Sequence, residues 1–203
     1  MEMNKVVDST NHFIIIFGKI IMSRIFIALT ADSDLNKELV TLKSKMQNLI
    51  IPGARVNWSI HKFHHLTVFF VGNMEPEQLE EMYIKLADIK IPGNYLEVEL
   101  TDISYYPNES SQLLVSNIAL STNLKKLYNQ VEQILATIGF STQLRNYRPH
   151  ITLARFTNKT RPFKEIFEIK QPIKTKFATL DIYESVKRKN KTTHDLIKSF
   201  DFD

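Results

Sequence analysis

Two four-residue segments of this chain, His65-Leu66-Thr67-Val68 and His150-Ile151-Thr152-Leu153, follow one pattern. Each sets a histidine and a threonine two residues apart, with apolar residues between and after them. In a β-strand that spacing puts the histidine and threonine on one face and sends the apolar residues to the other. Strict alternation therefore directs Leu66, Val68 and Phe70, and likewise Ile151 and Leu153, into a core. Two such half-buried strands could face each other across one groove.

The surrounding sequence supplies the material for such a fold. With 203 residues, 43% of them hydrophobic and 24% charged, the chain has the balance of a globular protein large enough for one substantial domain or two lobes. Cysteine is absent, which excludes disulfides, thiolate nucleophiles and thiolate metal sites, and fits a reducing, cytoplasmic setting. The formal charge of +4 favours anionic partners, nucleic acid or nucleotides among them. The apolar run Phe13 to Phe17, followed by Gly18 and Lys19, is too short to span a bilayer. Residues 1–21 read as an extension, either a poorly ordered tail or an upstream start before Met22, and residues 22–203 as a single bilobal domain.

Along that domain, Arg24 to Leu29 reads as a buried strand, and Leu35, Leu39, Leu42, Met46 and Leu49 form a helical stripe ending before Pro52-Gly53. Val56 to Ser59 and His65 to Val71 read as strands, and Glu75-Pro76 opens a helix carrying Leu79, Met82, Tyr83, Leu86 and Ile89. Strands are expected at Tyr95 to Ile103 and Gln112 to Ala119. A helix with Leu124, Leu127, Val131, Ile134, Leu135 and Ile138 then ends at Gly139. After the second motif strand, Pro162 to Phe167 is expected to be a short helix. Phe177 to Val186 and Asp195 to Phe202 are expected to form a hairpin around the charged turn Lys187 to Lys191. The mixed order points to α+β, and the two motifs, each downstream of an amphipathic helix, suggest an internal duplication.

A lone His-x-Thr in a strand is more often structural than functional; two copies with matching apolar positions reverse that weighting. Two imidazoles and two hydroxyls suit acid–base chemistry on an anionic oxygen ester, because histidine titrates near neutrality and hydroxyls donate to oxygens. His61 and His64 lie close to His65, but no ligand set with metal-site spacing accompanies them. Trp58, Phe63, Tyr105 and Tyr106 are candidates for stacking on a base, although core or loop packing is the stronger reading for any one of them. The run Lys187 to Lys191 suits either RNA phosphates or plain solvation.

The paired motifs resemble those of the two-histidine (2H) phosphoesterases. More narrowly, Tyr147-Arg148-Pro149-His150-Ile151-Thr152-Leu153-Ala154-Arg155 is similar to the second motif of the RNA 2',3'-cyclic phosphodiesterase branch, historically called 2'-5' RNA ligase. Arg24 to Leu29, Pro52-Gly53-Ala54-Arg55 through Trp58, and Leu180-Asp181-Ile182-Tyr183-Glu184-Ser185 extend the resemblance in order and spacing over residues 22–203. Phe69-Phe70-Val71-Gly72 departs from the usual arginine-containing continuation of the first motif.

The resemblance implies a bilobal, pseudo-twofold α+β fold, with two antiparallel sheets facing a central cleft and helices outside. It implies hydrolysis of RNA or nucleoside 2',3'-cyclic phosphates to 2'-phosphates without a metal or other cofactor. By the same analogy His65 is the proton donor and His150 the proton acceptor, while Thr67, Thr152 and Arg155 bind the phosphate. Strict alternation puts Arg155 on the face opposite His150, so that role needs the strand to bend, bulge or end near Ala154. Arg148 either contacts RNA backbone or faces solvent. The expected partners are RNA with cyclic phosphate ends or small cyclic nucleotides, with no membrane association and a monomeric state. The competing readings are joining or cleavage of 2',5' linkages, and a non-catalytic module that binds RNA ends or nucleotides.

Overall fold

The computed structural model describes residues 23–60, 64–91, 93–140, 146–157, 161–188 and 191–202. The expectations for residues 1–21, His61 and Phe63 fall outside that set. In chain order the elements are β1 (Ser23–Thr30), α1 (Ser33–Gln47), β2 (Val56–Trp58), β3 (His65–Met74), α2 (Pro76–Leu86), β4 (Leu96–Tyr105), β5 (Leu113–Ile118), α3 (Thr122–Thr137), β6 (His150–Phe156), β7 (Ile173–Phe177), β8 (Thr179–Arg188) and β9 (Lys191–Asp201).

Local chemistry explains the helices. Asp32 caps α1 by accepting from the Leu35 amide at 2.8 Å, and Leu35, Leu39, Leu42 and Met46 form its buried stripe. Glu75 and Gln78 make a capping box around Pro76 at the start of α2. Ser121 caps α3 through the Leu124 amide, and Gly139, with φ of 90°, closes it in the left-handed region.

The strands form one antiparallel sheet ordered β7-β4-β5-β6-β3-β1-β8-β9, with β2 also paired to β6. The two sheets implied by the resemblance are thus continuous, joined where β3 meets β6 at the pair Leu66 and Ile151. These are the central residues of the two motifs, so the joint lies on the pseudo-twofold axis. Outward from it the order repeats: β5 and β1 flank the motif strands, and strand, helix and motif strand recur as β1-α1-β3 and β5-α3-β6. The sequence duplication is therefore a duplication of structure.

All three helices bury their stripes in one core, against Ile25, Ile27, Leu29, Leu66, Val68, Ile151 and Leu153. The residues that alternate with these, Phe26, Ala28 and Tyr183, form a separate small cluster on the opposite face. That second face carries both motif histidines.

Two expected elements differ. Residues 162–167 are not a helix: Phe163 bridges to Ile50, the Pro162 carbonyl accepts from the Ile51 amide and the Lys164 amide donates to the Leu49 carbonyl, so this stretch spends its backbone groups on the segment that follows α1. Residues 173–177 form a strand of their own, paired with β4, because Ile173 to Phe177 completes that sheet edge before β8 begins. The terminal hairpin is present and longer than expected, with Lys189 and Asn190 of its turn outside the described residues.

Candidate active site

The antiparallel register at Leu66 and Ile151, continued one residue each way, sets His65 opposite Thr152 and Thr67 opposite His150. Each histidine neighbours the threonine of the other motif. The two imidazoles stand on a diagonal of about 8 Å between Cα atoms, from ordinary strand spacings.

Both motif strands bulge at the same place. In β3, Thr67 pairs with Ala28 and Phe69 with Ile27, leaving Val68 as the extra residue. In β6, Thr152 pairs with Val115 and Ala154 with Leu114, leaving Leu153 as the extra residue. Each bulge resets the alternation by one. It brings Arg155 to the histidine face, which strict alternation denied it, and leaves Leu153 and Ala154 together in the core. It also corrects the expectation for Phe70: that ring is 73% exposed on the histidine face beside Phe26, and Phe69 turns inward against Tyr128. Phe70 holds in the first motif the position that Arg155 holds in the second.

The surroundings of His150 define its protonation. Its Nδ1 lies 2.8 Å from the Arg148 carbonyl oxygen, which can only accept, so Nδ1 carries the hydrogen and Nε2 of the neutral ring is a proton acceptor. Burial pushes its pKa below the usual histidine value; the bond to the Arg148 carbonyl opposes this, and the Arg148 and Arg155 charges reinforce it. Tyr106 lies on the imidazole at 4.0 Å between ring centres, and the Arg148 guanidinium covers the other part of that phenol at 5.2 Å. Arg148 also donates to the Pro107 carbonyl. The entry to β6 is tied to the first motif by the Tyr147 hydroxyl, which donates to the Thr67 carbonyl at 3.2 Å; burial raises the Tyr147 pKa and keeps it a donor.

His65 sits in an aromatic box of Phe26 at 5.1 Å, Tyr183 at 6.0 Å and His194 at 5.6 Å between ring centres, with His194 edge-on. Burial first, and the Arg155 charge second, lower the His194 pKa. Thr67 and Thr152 are half-buried on the same face.

The remaining sequence candidates lie elsewhere. His64 is buried and bonds Asn36 through Nδ1 at 2.7 Å, a structural role. Trp58 packs against Phe163 under Lys43, and Tyr105 is buried against Phe156. Tyr106 alone of that aromatic group reaches a motif histidine among the described residues. Phe26, Tyr183 and His194 escaped the sequence reading, although the alternation of Phe26 with Ile25 and Ile27 is visible in β1. Among the described residues no helix is long and apolar enough to cross a membrane.

A family model described as LigT like Phosphoesterase matches residues 117–190, which hold α3, the second motif and β8. Over that stretch the chain is similar to the LigT-like phosphoesterases. An RNA 2',3'-cyclic phosphodiesterase of Methanocaldococcus jannaschii is 21% identical over 183 residues, covering 87% of this LigT-like chain and 99% of that protein. A protein of the same description from Aeropyrum pernix is 28% identical over 91 residues, covering 45% of the chain and 52% of that protein. Among solved structures, a Thermus thermophilus protein superposes with a TM-score of 0.73 at 17% identity, over 88% of this chain and 97% of that one. Escherichia coli LigT complexed with 3'-AMP superposes with a TM-score of 0.68 at 19% identity, over 89% and 98%. These superpositions establish the shared fold.

Proposed function

We propose that this protein hydrolyses RNA or nucleoside 2',3'-cyclic phosphates to 2'-phosphates by two-histidine acid–base catalysis. The observation that carries the proposal is the crossed array at the sheet joint, two histidines on one diagonal and two threonines on the other, with a bulge delivering Arg155 beside it. The names of the M. jannaschii and A. pernix relatives support the substrate class.

In-line opening of the cyclic ester requires water to lose a proton on one side of phosphorus while the departing 3'-oxygen gains one on the other. His150, neutral and with Nε2 as acceptor, takes the water proton. The water oxygen bonds to phosphorus, the bond to the 3'-oxygen breaks, and His65 donates its proton to that oxygen. Thr67 and Thr152 donate to the nonbridging oxygens as charge moves onto them, and the Arg155 guanidinium supplies a fork that fits phosphate. Arg148, which lies over Tyr106 on the His150 side, contacts the RNA backbone in this reading.

The test is hydrolysis of an oligonucleotide ending in a 2',3'-cyclic phosphate, in the presence of chelator. The wild-type protein turns it over, and His150→Ala lowers the rate by roughly a hundredfold or more. Binding without turnover would replace the proposal with a non-catalytic RNA-end module.

A further inference from the structure

The half of the sheet that carries His65 buries a charge for which the reaction above has no use. Asp181 on β8 is 3% exposed, and its carboxylate accepts from three hydroxyls: Thr30 and Thr179 at Oδ2, and Ser199 at Oδ1. Among the described residues no basic side chain pairs with it. Burying an anion without a cation is costly, so its retention calls for a reason.

Thr30 supplies the link. It is the register partner of His65 at the end of β1, so the two side chains are cross-strand neighbours on the site face. The Thr30 hydroxyl has one hydrogen, which it gives to Asp181; at 2.6 Å from the Tyr183 hydroxyl it therefore accepts from that phenol. Tyr183 in turn lies 6.0 Å from the His65 ring, inclined at 29° to it, and stacks on Phe26. The chain of hydroxyls and the carboxylate thus form the wall behind His65.

The other half holds a counterpart that differs in the decisive property. Asn117 is the register partner of His150, as Thr30 is of His65, and it donates to Asp102 at 2.6 Å and to Ser104 at 2.7 Å. Asp102 is exposed, so water screens its charge, and two arginines face His150 from β6 and its approach. Among the described residues Tyr183 and His194 also face His65, and the charges of Arg155 and Asp195 reach His194.

We propose that the buried Asp181, acting through Thr30 and Tyr183, is a positioning residue that holds the proton on His65 and so fixes which of two equivalent motif histidines is the acid. A pseudo-twofold site offers both histidines the same backbone geometry; a buried anion behind one and the Arg148 charge beside the other break that equivalence. This inference rests on the acid–base reading above and deepens it.

The direct test is an NMR pH titration of the imidazoles, with signals assigned through His65→Asn and His150→Asn variants. It reads protonation without turnover. In the wild-type protein His65 titrates above His150. In Asp181→Asn, which keeps the volume but removes the charge and exchanges one accepting oxygen for a donating amide, the His65 midpoint falls by about one pH unit, a tenfold change in its proton affinity, while that of His150 stays. Wild-type midpoints in the reverse order would overturn the inference, and so would an unchanged His65 midpoint in a folded Asp181→Asn protein. Kinetics provide the second arm. Asp181→Asn lowers cyclic phosphate hydrolysis about tenfold near neutrality and moves the alkaline limb of its pH profile downward, yet leaves a nitrophenyl phosphodiester, whose leaving group needs no acid, nearly unaffected. Equal loss on both substrates with an unmoved profile would make Asp181 merely structural. A wild-type protein that turns over neither substrate would defeat the hydrolase reading alone, since the titration order still decides this one.

Discussion

His150 and His65 occupy equivalent places in their motifs but unlike surroundings, and the proposed division of acid and base roles rests on that difference. Because burial first, and the neighbouring arginines with it, hold the His150 pKa below 6.5, the acidic limb of the kcat/KM profile for cyclic phosphate is expected to have its midpoint below that value. A midpoint above it would place the base elsewhere. Arg155→Ala is expected to cost roughly a hundredfold in kcat/KM, the usual loss when one donor to developing charge is removed. Arg155→Lys should restore only part of it, since an ammonium lacks the guanidinium fork. The residues that meet at the sheet joint were legible where a motif carried them. The partners of the histidines were not, because Tyr106, Thr30, Asp181 and His194 come from four separate segments whose meeting depends on sheet register.

At the scale of elements, the three helices were readable from their apolar stripes and caps, and most strands from β-branched and aromatic runs. The bulges at Val68 and Leu153 were not readable as positions, since an extra residue in a ladder leaves no mark in a local pattern. They decide the site nonetheless, by turning Arg155 inward to the groove and Phe70 outward from the core. The 162–167 segment deceived for a related reason: its backbone bonds go to the distant segment that follows α1, which outweighs local propensity. Two substitutions test the elements. Gly139→Ala places a Cβ at φ of 90° in the α3 cap and is expected to cost about 1 kcal/mol in urea denaturation. Leu66→Ala, at the fully buried joint of the motif strands, is expected to cost about 3 kcal/mol. A change within error for Leu66→Ala would mean that the joint bears no packing.

The whole molecule is one sheet with helices on one face and the candidate site on the other, so its halves share strands at the centre. Denaturant unfolding followed by Trp58 fluorescence, which reports on the β2 and β6 side, and by far-ultraviolet circular dichroism is expected to give coincident transitions. Separate midpoints would show two independent lobes. His150 and His194 both have folded pKa values below those of the unfolded chain, so the unfolded state binds more protons. Their contribution to stability is complete above 6.5 and is lost as pH falls through the folded midpoints. The duplication visible in the sequence accounts for the architecture, and departures from its symmetry account for the proposed chemistry. The most direct test of that account is phosphorus NMR of the product formed from a 2',3'-cyclic phosphate oligonucleotide in chelator. A terminal 2'-phosphate, formed by the wild-type protein and lost in both His65→Ala and His150→Ala, is the predicted result. A 3'-phosphate product, or undiminished turnover in either variant, would contradict it.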